Sequence, residues 1–397
     1  MERGNRTVAI LSGARTPIGG FGGSLSAVAP SELASIASKR AIFESGCTAS
    51  DIEHSVFGNV IHTEPKDMYL SRVAAMGAGV PATSPALTLN RLCGSGMQAI
   101  ISAAQSIMLG DCDVALAGGA ESMSRAPHAT FAVRNGVKMG DMSVTDMLIG
   151  SLTDPFGNGH MGVTAENVAA QWGISKEEQD AFAVESHRRA AAAWEAGRFD
   201  SQIVPVSVKA RWETVEVTKD EHFRADMTQD DLGRLRAVFQ KDGSVTAGNA
   251  SGINDGAAAL VLMGTAQAEA RGLKPMAQII GYAHSGVDPE IMGVGPITAV
   301  EKLLQKTGLN IDDFDVVESN EAFASQALAV SLSLKLDSEK VNPNGGAIAL
   351  GHPIGATGAI IVVKLVHELT RRGGGLGLAT MCIGGGQGIA LALKVDG

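Results

Sequence analysis

Two cysteines stand where a sulfur atom could do covalent chemistry. Cys93 follows a predicted strand over 86–90 and precedes Gly94, Ser95 and Gly96, which open a helical pattern. The positive end of a helix dipole and free backbone N–H groups lower the pKa of a thiol toward the thiolate, so this position predicts a reactive cysteine. A small buried cysteine at a strand end is the alternative, and these residues alone leave it open.

Cys382 occupies a similar place near the C-terminus. It ends a predicted strand over 376–381 and is followed by Ile383 and three glycines over 384–386. The backbone N–H groups of such a run can form a concavity that binds an anion. The segment, with Gly384 in it, therefore predicts a place where negative charge is stabilised.

A histidine and an asparagine stand at other strand-to-helix junctions. His352 lies between a glycine and a proline on a turn that directly precedes a helix, where packing gives little reason for an imidazole, so we interpret it as functional. Asn320 follows a predicted strand over 314–318, and the ordinary explanation is an N-cap of the next helix. His160, in a glycine-rich loop, either lines a pocket or is simply solvated.

Several familiar catalytic motifs do not occur in the sequence. No spacing of His, Cys, Asp and Glu matches a metal site, and there is neither a Gly-x-Ser-x-Gly elbow nor a Walker loop. The glycines at 384–386 are not a dinucleotide fingerprint, because a strand rather than a helix follows them. We therefore expect thiol chemistry with no metal and no bound cofactor.

The composition is that of a globular protein with an acidic balance. Of 397 residues, 45% are hydrophobic and 19% are charged, which excludes disorder as the main state. The formal net charge is −10, and lysine and arginine occur singly, so we expect no nucleic-acid partner. An anionic substrate would need local dipoles and one or two cations to bind this chain.

Cysteine usage and hydropathy predict a reducing, aqueous compartment. The chain has four cysteines without CxxC spacing. A chain of this length can form a hydrophobic core and does not need disulfide bonds for stability. The apolar run over 8–11 is too brief for a signal peptide, and we expect no apolar stretch to approach the ~18–20 residues of a membrane span. The sequence predicts a cytoplasmic protein with no membrane partner.

Strands and helices alternate along the chain, and their order occurs twice. In the first repeat the pattern predicts strands over 7–11, 55–60, 86–90 and 113–117 and helices over 31–44, 68–78 and 94–109. The second predicts strands over 277–282, 314–318, near 341, 376–381 and 388–393 and helices over 297–307, 322–336 and 354–371. A strand over 257–263 is the counterpart of the last one, so about 130 residues are inserted before it.

The insert, 121–254, differs in composition from the two repeats. A capping box of Ser175 and Glu178 opens a long helix that ends near Gly197. The insert also contains all the tryptophans of the chain, Trp172, Trp194 and Trp212. In a duplicated α/β fold the carboxyl ends of the strands bind ligands. We therefore expect one edge of the sheets to bring together Cys93, Asn320, His352 and Cys382.

Four motifs in this order resemble those of the thiolase family, over essentially the whole chain. They are Asn90-Arg91-Leu92-Cys93-Gly94-Ser95-Gly96, Asn320-Glu321-Ala322-Phe323, Gly351-His352-Pro353-Ile354-Gly355 and Cys382-Ile383-Gly384-Gly385-Gly386. Within the family the chain is most similar to bacterial acetyl-CoA acetyltransferases and broad-range β-ketothiolases. Three further segments carry that likeness: Phe57-Gly58-Asn59-Val60, Glu121-Ser122-Met123-Ser124 and Gly248-Asn249-Ala250-Ser251-Gly252.

The resemblance implies an α/β thiolase fold. Two duplicated βαβαβαββ halves would form a layered αβαβα arrangement with an inserted loop domain. The N-terminal half would span 1–120 and be completed by about 255–270, and the C-terminal half would span 271–397. The loop domain, 121–254, would bind CoA and help to assemble a homotetramer, as a dimer of dimers.

The resemblance also implies roles for the candidate residues. Cys93 would be the nucleophile that takes the acyl group, activated by His352, and Cys382 the base that removes a proton from acetyl-CoA. His352 and a water held by Asn320 would stabilise the enolate. The backbone N–H groups of Cys93 and Gly384 would form a second oxyanion hole.

Further residues match the family's CoA and pantetheine channel. Arg224 would meet the adenosine phosphates, and the shape of the loop domain near Leu152 and Met292 would set the acyl chain length. Asp231 departs from some relatives, which have a small hydroxyl residue near the nucleotide. The matching channel residues are His160, Met161, Arg224, Ala247, Ser251 and Phe323.

By this resemblance the chain is an acyltransferase with CoA thioesters as substrates. It would condense two acetyl-CoA, or an acyl-CoA and acetyl-CoA, reversibly to a 3-ketoacyl-CoA and CoA, through a ping-pong acyl-cysteine. A degradative 3-ketoacyl-CoA thiolase of longer or branched substrates is the first alternative. A decarboxylating ketoacyl synthase and a non-catalytic acyl-CoA carrier are further ones. Cys382 argues against the synthase, because decarboxylation supplies the carbanion without a basic thiol.

Overall fold

A mixed sheet of ten strands runs through the computed structural model, which describes residues 6–209 and 212–397. Residues 1–5 of the predicted N-terminal half and 210–211 of the insert lie outside the described residues. The strands are β1 Val8–Arg15, β2 Gly19–Gly20, β3 His54–Gly58, β4 Ala86–Leu89, β5 Val114–Ser122, β6 His128–Ala129, β7 Thr145–Asp146, β8 Val206–Lys209, β9 Thr214–Val217, β10 Asn254–Gly264, β11 Ala277–Gly286, β12 Val316–Ser319, β13 Gly375–Ile383 and β14 Gln387–Val395. The helices are α1 Pro30–Glu44, α2 Leu70–Gly77, α3 Ser95–Leu109, α4 Met147–Ser151, α5 Met161–Trp172, α6 Lys176–Glu195, α7 Gln229–Gly233, α8 Thr265–Ala270, α9 Gly295–Thr307, α10 Ala324–Leu334, α11 Ala347–Leu350 and α12 Thr357–Arg372.

The two halves of the sheet follow the same rule. In the order β4-β3-β5-β10-β1, the first three strands are parallel and the last two alternate in direction. In the order β12-β13-β14-β11, the first pair is parallel and the last two strands again alternate. The halves join where β1 pairs with β11. The predicted duplication is thus confirmed.

The prediction of a strand near 341 is wrong, since Val341 forms only a single parallel bridge to Val317.

The helices α3 and α12 cross at glycines in the middle of the molecule. A Cβ atom at Gly96 would lie 2.6 Å from the backbone nitrogen of Ala359, and one at Gly358 would collide with the backbone nitrogen of Met97. Only glycine permits this approach of two helix backbones. The close crossing brings the N-terminal end of α3, next to Cys93, beside the N-terminal end of α12.

The helix α3 corrects one expectation from hydropathy. The segment Leu92–Leu109 is long and apolar enough, by length and composition, to pass the test for a membrane span. The expectation that no apolar stretch approaches that length was therefore wrong. The helix packs in the main core, where Met97, Ile100 and Ile107 are fully buried. An apolar helix that packs in a protein core can meet the same test of length and composition as a membrane span.

The insert is tied to the first strand by a buried ion pair. Arg15 donates two hydrogen bonds to Asp220, of 2.8 and 3.0 Å, and both side chains are fully buried. Arg15 also donates to Gln202 at 2.8 Å and lies over the ring of Phe199. Loss of either charge would leave the other buried and unpaired, so this contact fixes the insert against β1.

The long helix of the insert begins as predicted. Ser175 and Glu178 form the capping box of α6, which ends at Glu195, two residues before Gly197. The predicted limits of the insert, 121 and 254, lie in the last residues of β5 and at the first residue of β10.

Candidate active site

The turn before Cys93 has a strained backbone. Leu92 adopts a φ of 46°, a left-handed conformation that is costly for a side chain of this size. Ser95 holds the turn, since its hydroxyl accepts from the backbone N–H of Arg91 at 2.8 Å and donates to the carbonyl of Leu92 at 2.7 Å. The strained turn presents the Cys93 sulfur just ahead of the first turn of α3.

Burial governs the acidity of the Cys93 thiol. Burial raises its pKa above the ordinary value, and the nearby carboxylate of Glu121 raises it further. The backbone N–H groups of Gly384 and of Cys93 itself donate to the sulfur and act in the opposite direction. The sequence expectation of a lowered pKa was therefore wrong, because desolvation outweighs the helix terminus. A thiol of this kind needs a base to take its proton.

His352 is held as a neutral imidazole with one free nitrogen. The Thr357 hydroxyl donates to the carbonyl of Pro353 at 2.9 Å, so it accepts from His352 Nδ1, 2.7 Å away. This assigns the hydrogen to Nδ1 and leaves Nε2 with a lone pair. Burial lowers the pKa of His352 to about 4. Nε2 is buried and has no hydrogen-bond partner within 6–209 and 212–397, so it is available to a reacting group.

Cys382 lies at the end of β13 and is 1% exposed. Burial raises the pKa of its thiol far above the ordinary value, and the proximity of Cys93 raises it further. The second effect requires the two sulfurs to be close together. Once deprotonated, a thiol with so high a pKa is a strong base.

Asn320 does not cap a helix. The N-cap of α10 is Phe323, and the backbone N–H of Asn320 donates to the carbonyl of Thr380 at 3.0 Å. The Asn320 side chain is buried, and in the described part of the chain neither its oxygen nor its nitrogen has a partner. Leaving a buried amide without hydrogen bonds costs free energy, so we infer that the carboxamide binds a water or a ligand. The N-cap interpretation was wrong.

One cavity of about 420 Å³ joins most of the predicted residues. Cys93, His352, Cys382 and Gly384 lie on its wall. So do five of the six predicted channel residues, His160, Met161, Ala247, Ser251 and Phe323, and the two residues expected to set the acyl chain length, Leu152 and Met292. Asn320 and Arg224 are not among the residues that line it.

An aromatic side chain that the sequence did not single out shapes this cavity. Phe239 stacks on His160, with ring centroids 4.7 Å apart, and meets Phe323 edge to face at 6.2 Å. His160 caps the following helix α5, since its Nδ1 accepts from the backbone N–H of Gly162. No local motif surrounds Phe239, so only the folded insert reveals its place.

Arg224 lines an adjoining cavity of about 450 Å³. The two cavities share His222, and His187 accepts from the backbone N–H of Arg224 at 3.1 Å. Asp231 lies on the same wall, and its carboxylate caps its own helix α7 by accepting from Thr228. These hydrogen bonds lower the pKa of Asp231, so the residue that departs from some relatives is a fixed negative charge.

The arrangement combines two chemistries in one place. A thiol beside two backbone N–H donors suits acyl transfer, and a neutral imidazole can accept the thiol's proton. A second thiol of high pKa suits removal of a proton from carbon. Among the residues the structure describes, there is no group of three or more His, Cys, Asp and Glu that could hold a metal ion.

Family models match nearly the whole chain. The model of the thiolase N-terminal domain matches residues 8–266, and that of the thiolase C-terminal domain matches residues 273–395. The chain belongs to the thiolase family. This thiolase is 59% identical over 386 residues to the beta-ketothiolase BktB of Cupriavidus necator, with 97% of this chain and 98% of the relative covered.

Solved structures of other thiolases have the same fold. The acetyl-CoA acetyltransferase of Bacillus anthracis is 47% identical with a TM-score of 0.96, covering 98% of this chain and 99% of that one. Human mitochondrial 3-ketoacyl-CoA thiolase in complex with CoA is 44% identical, also with a TM-score of 0.96, covering 99% of this chain and 98% of that one. The predicted family and α/β thiolase fold are confirmed.

Proposed function

We propose that this thiolase is an acetyl-CoA C-acyltransferase. It joins two acetyl-CoA, or an acyl-CoA and acetyl-CoA, reversibly to a 3-ketoacyl-CoA and CoA. The observation that supports this most is the single cavity on which Cys93, His352 and Cys382 all lie. The names of its relatives, beta-ketothiolase and acetyl-CoA acetyltransferase, agree with it.

In the first half-reaction the Cys93 sulfur attacks the thioester carbonyl. Its proton passes to the free Nε2 of His352, the only ring nitrogen with a lone pair. As negative charge develops on the carbonyl oxygen, this oxygen accepts hydrogen bonds from the backbone N–H groups of Cys93 and Gly384, which donate to the sulfur in the free protein. Cys382 gives its proton to the departing CoA sulfur and is left as a thiolate. The products are acetyl-Cys93 and free CoA.

In the second half-reaction the Cys382 thiolate takes a proton from the methyl group of acetyl-CoA. The enolate oxygen accepts from the Nε2–H of His352 and from a water on the Asn320 carboxamide. Both side chains have buried polar atoms without a partner in the described chain. The enolate carbon attacks acetyl-Cys93 and expels the Cys93 thiolate, which recovers its proton from His352. Cys93, His352 and Cys382 thus return to their starting protonation states, and the proton lost by the methyl group is balanced by the one that leaves on CoA.

The adjoining cavity suits the nucleotide end of CoA. Arg224 and the neighbouring His187 and His222 line it. Arg224 supplies the local cation that a polyanion needs on a chain with a formal net charge of −10, and the two histidines, whose pKa values burial lowers, are neutral hydrogen-bonding groups. Asp231 and Glu221 place two carboxylates on the same wall, which favours contact with the uncharged parts of the adenosine over its phosphates.

The acyl group would lie against apolar walls. Leu152, Met292 and Ile149 line the main cavity, and methionine and leucine adapt to groups of different shape. This supports activity on acyl-CoA substrates longer than acetyl-CoA. Rates of thiolysis across a series of straight and branched 3-ketoacyl-CoAs would define the range.

Thiolysis of acetoacetyl-CoA tests the function directly. Purified protein should consume acetoacetyl-CoA only when CoA is added and should release two acetyl-CoA. CoA binding without turnover would indicate a carrier, and carbon dioxide release from a malonyl thioester would indicate a synthase. No CoA-dependent loss of acetoacetyl-CoA would exclude the thiolase assignment.

Thr357→Val should weaken catalysis through the tautomer of His352. Valine keeps the shape of threonine but cannot accept from Nδ1, so the hydrogen can move to Nε2 and block proton transfer. We expect kcat to fall by about 10–10²-fold while KM for CoA stays within about threefold. NMR of labelled histidine should show the Nε2–H form in the variant. Thr298→Val, on α9, serves as the control, and an unchanged tautomer would contradict the assignment.

We also propose a cytoplasmic homotetramer, a dimer of dimers. Large apolar side chains in the insert face solvent in the single chain, with Phe131 74% and Met139 94% exposed. Such a concentration of exposed apolar groups is typical of a surface that contacts another protein. Light scattering would give the mass, and a monomer at micromolar concentration would contradict the proposal.

A further inference from the structure

A buried carboxylate outside the proposed chemistry links the two halves beside the active site. Glu121, near the end of β5, is fully buried. Its Oε1 accepts from Asn59 Nδ2 at 3.0 Å and from the backbone N–H of Ile61 at 3.1 Å. Its Oε2 accepts from the backbone N–H of Val60 at 3.0 Å and of Gly355 at 2.9 Å. All four partners are nitrogen donors, which only a carboxylate can satisfy together.

These donors belong to two segments that form the wall around Cys93. The loop of Asn59 to Ile61 follows β3 in the first half, and Gly355 lies three residues after His352 in the second. Ile61 and Ile354, one from each segment, pack in one apolar cluster that Cys93 and Leu152 also contact. One carboxylate therefore sets both the position of the His352 turn and the shape of the wall beside the sulfur.

We propose that Glu121 is a positioning residue that holds the His352 turn against the Asn59 loop and thereby places His352 relative to Cys93. The inference rests on the proposed function. A Cβ at Gly355 would lie 2.5 Å from Glu121 Oε2, so the turn has no room to shift toward the carboxylate. The charge acts on the nucleophile as well, since Glu121 raises the pKa of the Cys93 thiol.

The charge serves a second purpose. Burial raises the pKa of Glu121 itself to about 8, while the backbone donors hold it down. Among the described residues, Glu121 is the charged group that acts on the pKa of Cys93, and the titratable groups that share its cavity are Cys382, His160, His222 and His352. Above its own pKa Glu121 is charged, and this negative charge raises the pKa of the Cys93 thiol and makes the thiolate more basic.

Glu121→Gln tests the proposal. The amide nitrogen of glutamine would face two N–H donors, so the His352 turn or the Asn59 loop must move. We expect kcat for acetoacetyl-CoA thiolysis to fall by about 10²-fold while KM for CoA changes by less than about threefold. Because one negative charge is removed, the pH profile of Cys93 alkylation by iodoacetamide, followed on the Cys93 peptide, should shift to lower pH.

The matched control is Glu368→Gln at the other end of α12. Glu368 is also buried and accepts from Asn344 and two arginines. We expect it to lower thermal stability and leave kcat and the alkylation profile unchanged. A Glu121→Gln enzyme with kcat within about twofold of the unsubstituted protein, or with an unmoved alkylation profile, would overturn the proposal.

Asn59→Ala keeps the test open if the first variant does not fold. It removes one donor and leaves the charge, so we expect kcat to fall about five- to tenfold with an unmoved alkylation profile. An unchanged kcat in Asn59→Ala would overturn the positioning role. Failure of the proposed function is separate, because it would appear as an inactive unsubstituted protein whose Cys93 alkylation still shifts in Glu121→Gln.

Discussion

Cys93→Ala should abolish the acyl-enzyme. With the sulfur removed, no acetyl group can be held for the second substrate, so we expect kcat to fall by ~10⁴-fold or more. Incubation with acetyl-CoA alone should add one acetyl group to the unsubstituted chain and none to the variant, as read by protein mass. The fold should survive, since alanine is smaller than cysteine and Cys93 is only partly buried.

Cys47→Ala is the control for this variant. Cys47 is also partly buried, and it lies by the C-terminal end of α1, away from the cavity. We expect full activity and normal acetylation from it. Acetylation of the Cys93→Ala protein at any other site with retained turnover would end the proposed mechanism.

Cys382→Ala should separate the two half-reactions. The alanine variant keeps Cys93, His352 and the backbone donors, so acetyl-Cys93 should still form from acetyl-CoA, though more slowly because CoA must leave without the proton that Cys382 donates. The variant has no base for the methyl group, and we expect condensation and thiolysis to fall by about 10²–10⁴-fold. Rapid quenching with mass detection would follow the acyl-enzyme, and acetoacetyl-CoA formation would follow the second step.

The control here is Cys112→Ala, since Cys112 is buried like Cys382 but lies in the main core. It reports the cost of removing a buried thiol without touching the cavity. A Cys382→Ala enzyme as active as this control would instead favour a synthase, which needs no basic thiol.

Local sequence was enough to predict the elements that position the site. Gly110 ends α3 in the left-handed conformation expected of a C-cap, and Ser175 begins α6 as the capping box requires. The repeat of strand order was also readable, because strands and helices differ in hydrophobic period. These signals lie within a few residues of the feature that they predict.

Properties set by the whole fold could not be read in this way. The pKa of Cys93 depends on how many atoms surround the sulfur, and burial reversed the sign expected from the helix terminus. Asn320 has the type and position of an N-cap, and only the buried, unpartnered carboxamide in the described structure excludes that role. Phe239 reaches the cavity from a distant part of the insert.

The crossing of α3 and α12 explains why a fused chain suits this chemistry. Their glycines, Gly96 and Gly358, are equivalent in the two repeats, so Cys93 in one corresponds to Gly355 in the other. Two identical subunits would carry the same group at both turns. In one polypeptide the two turns can differ, so that one carries the nucleophile and the other the histidine that takes its proton, and the symmetry of the scaffold does not limit the reaction.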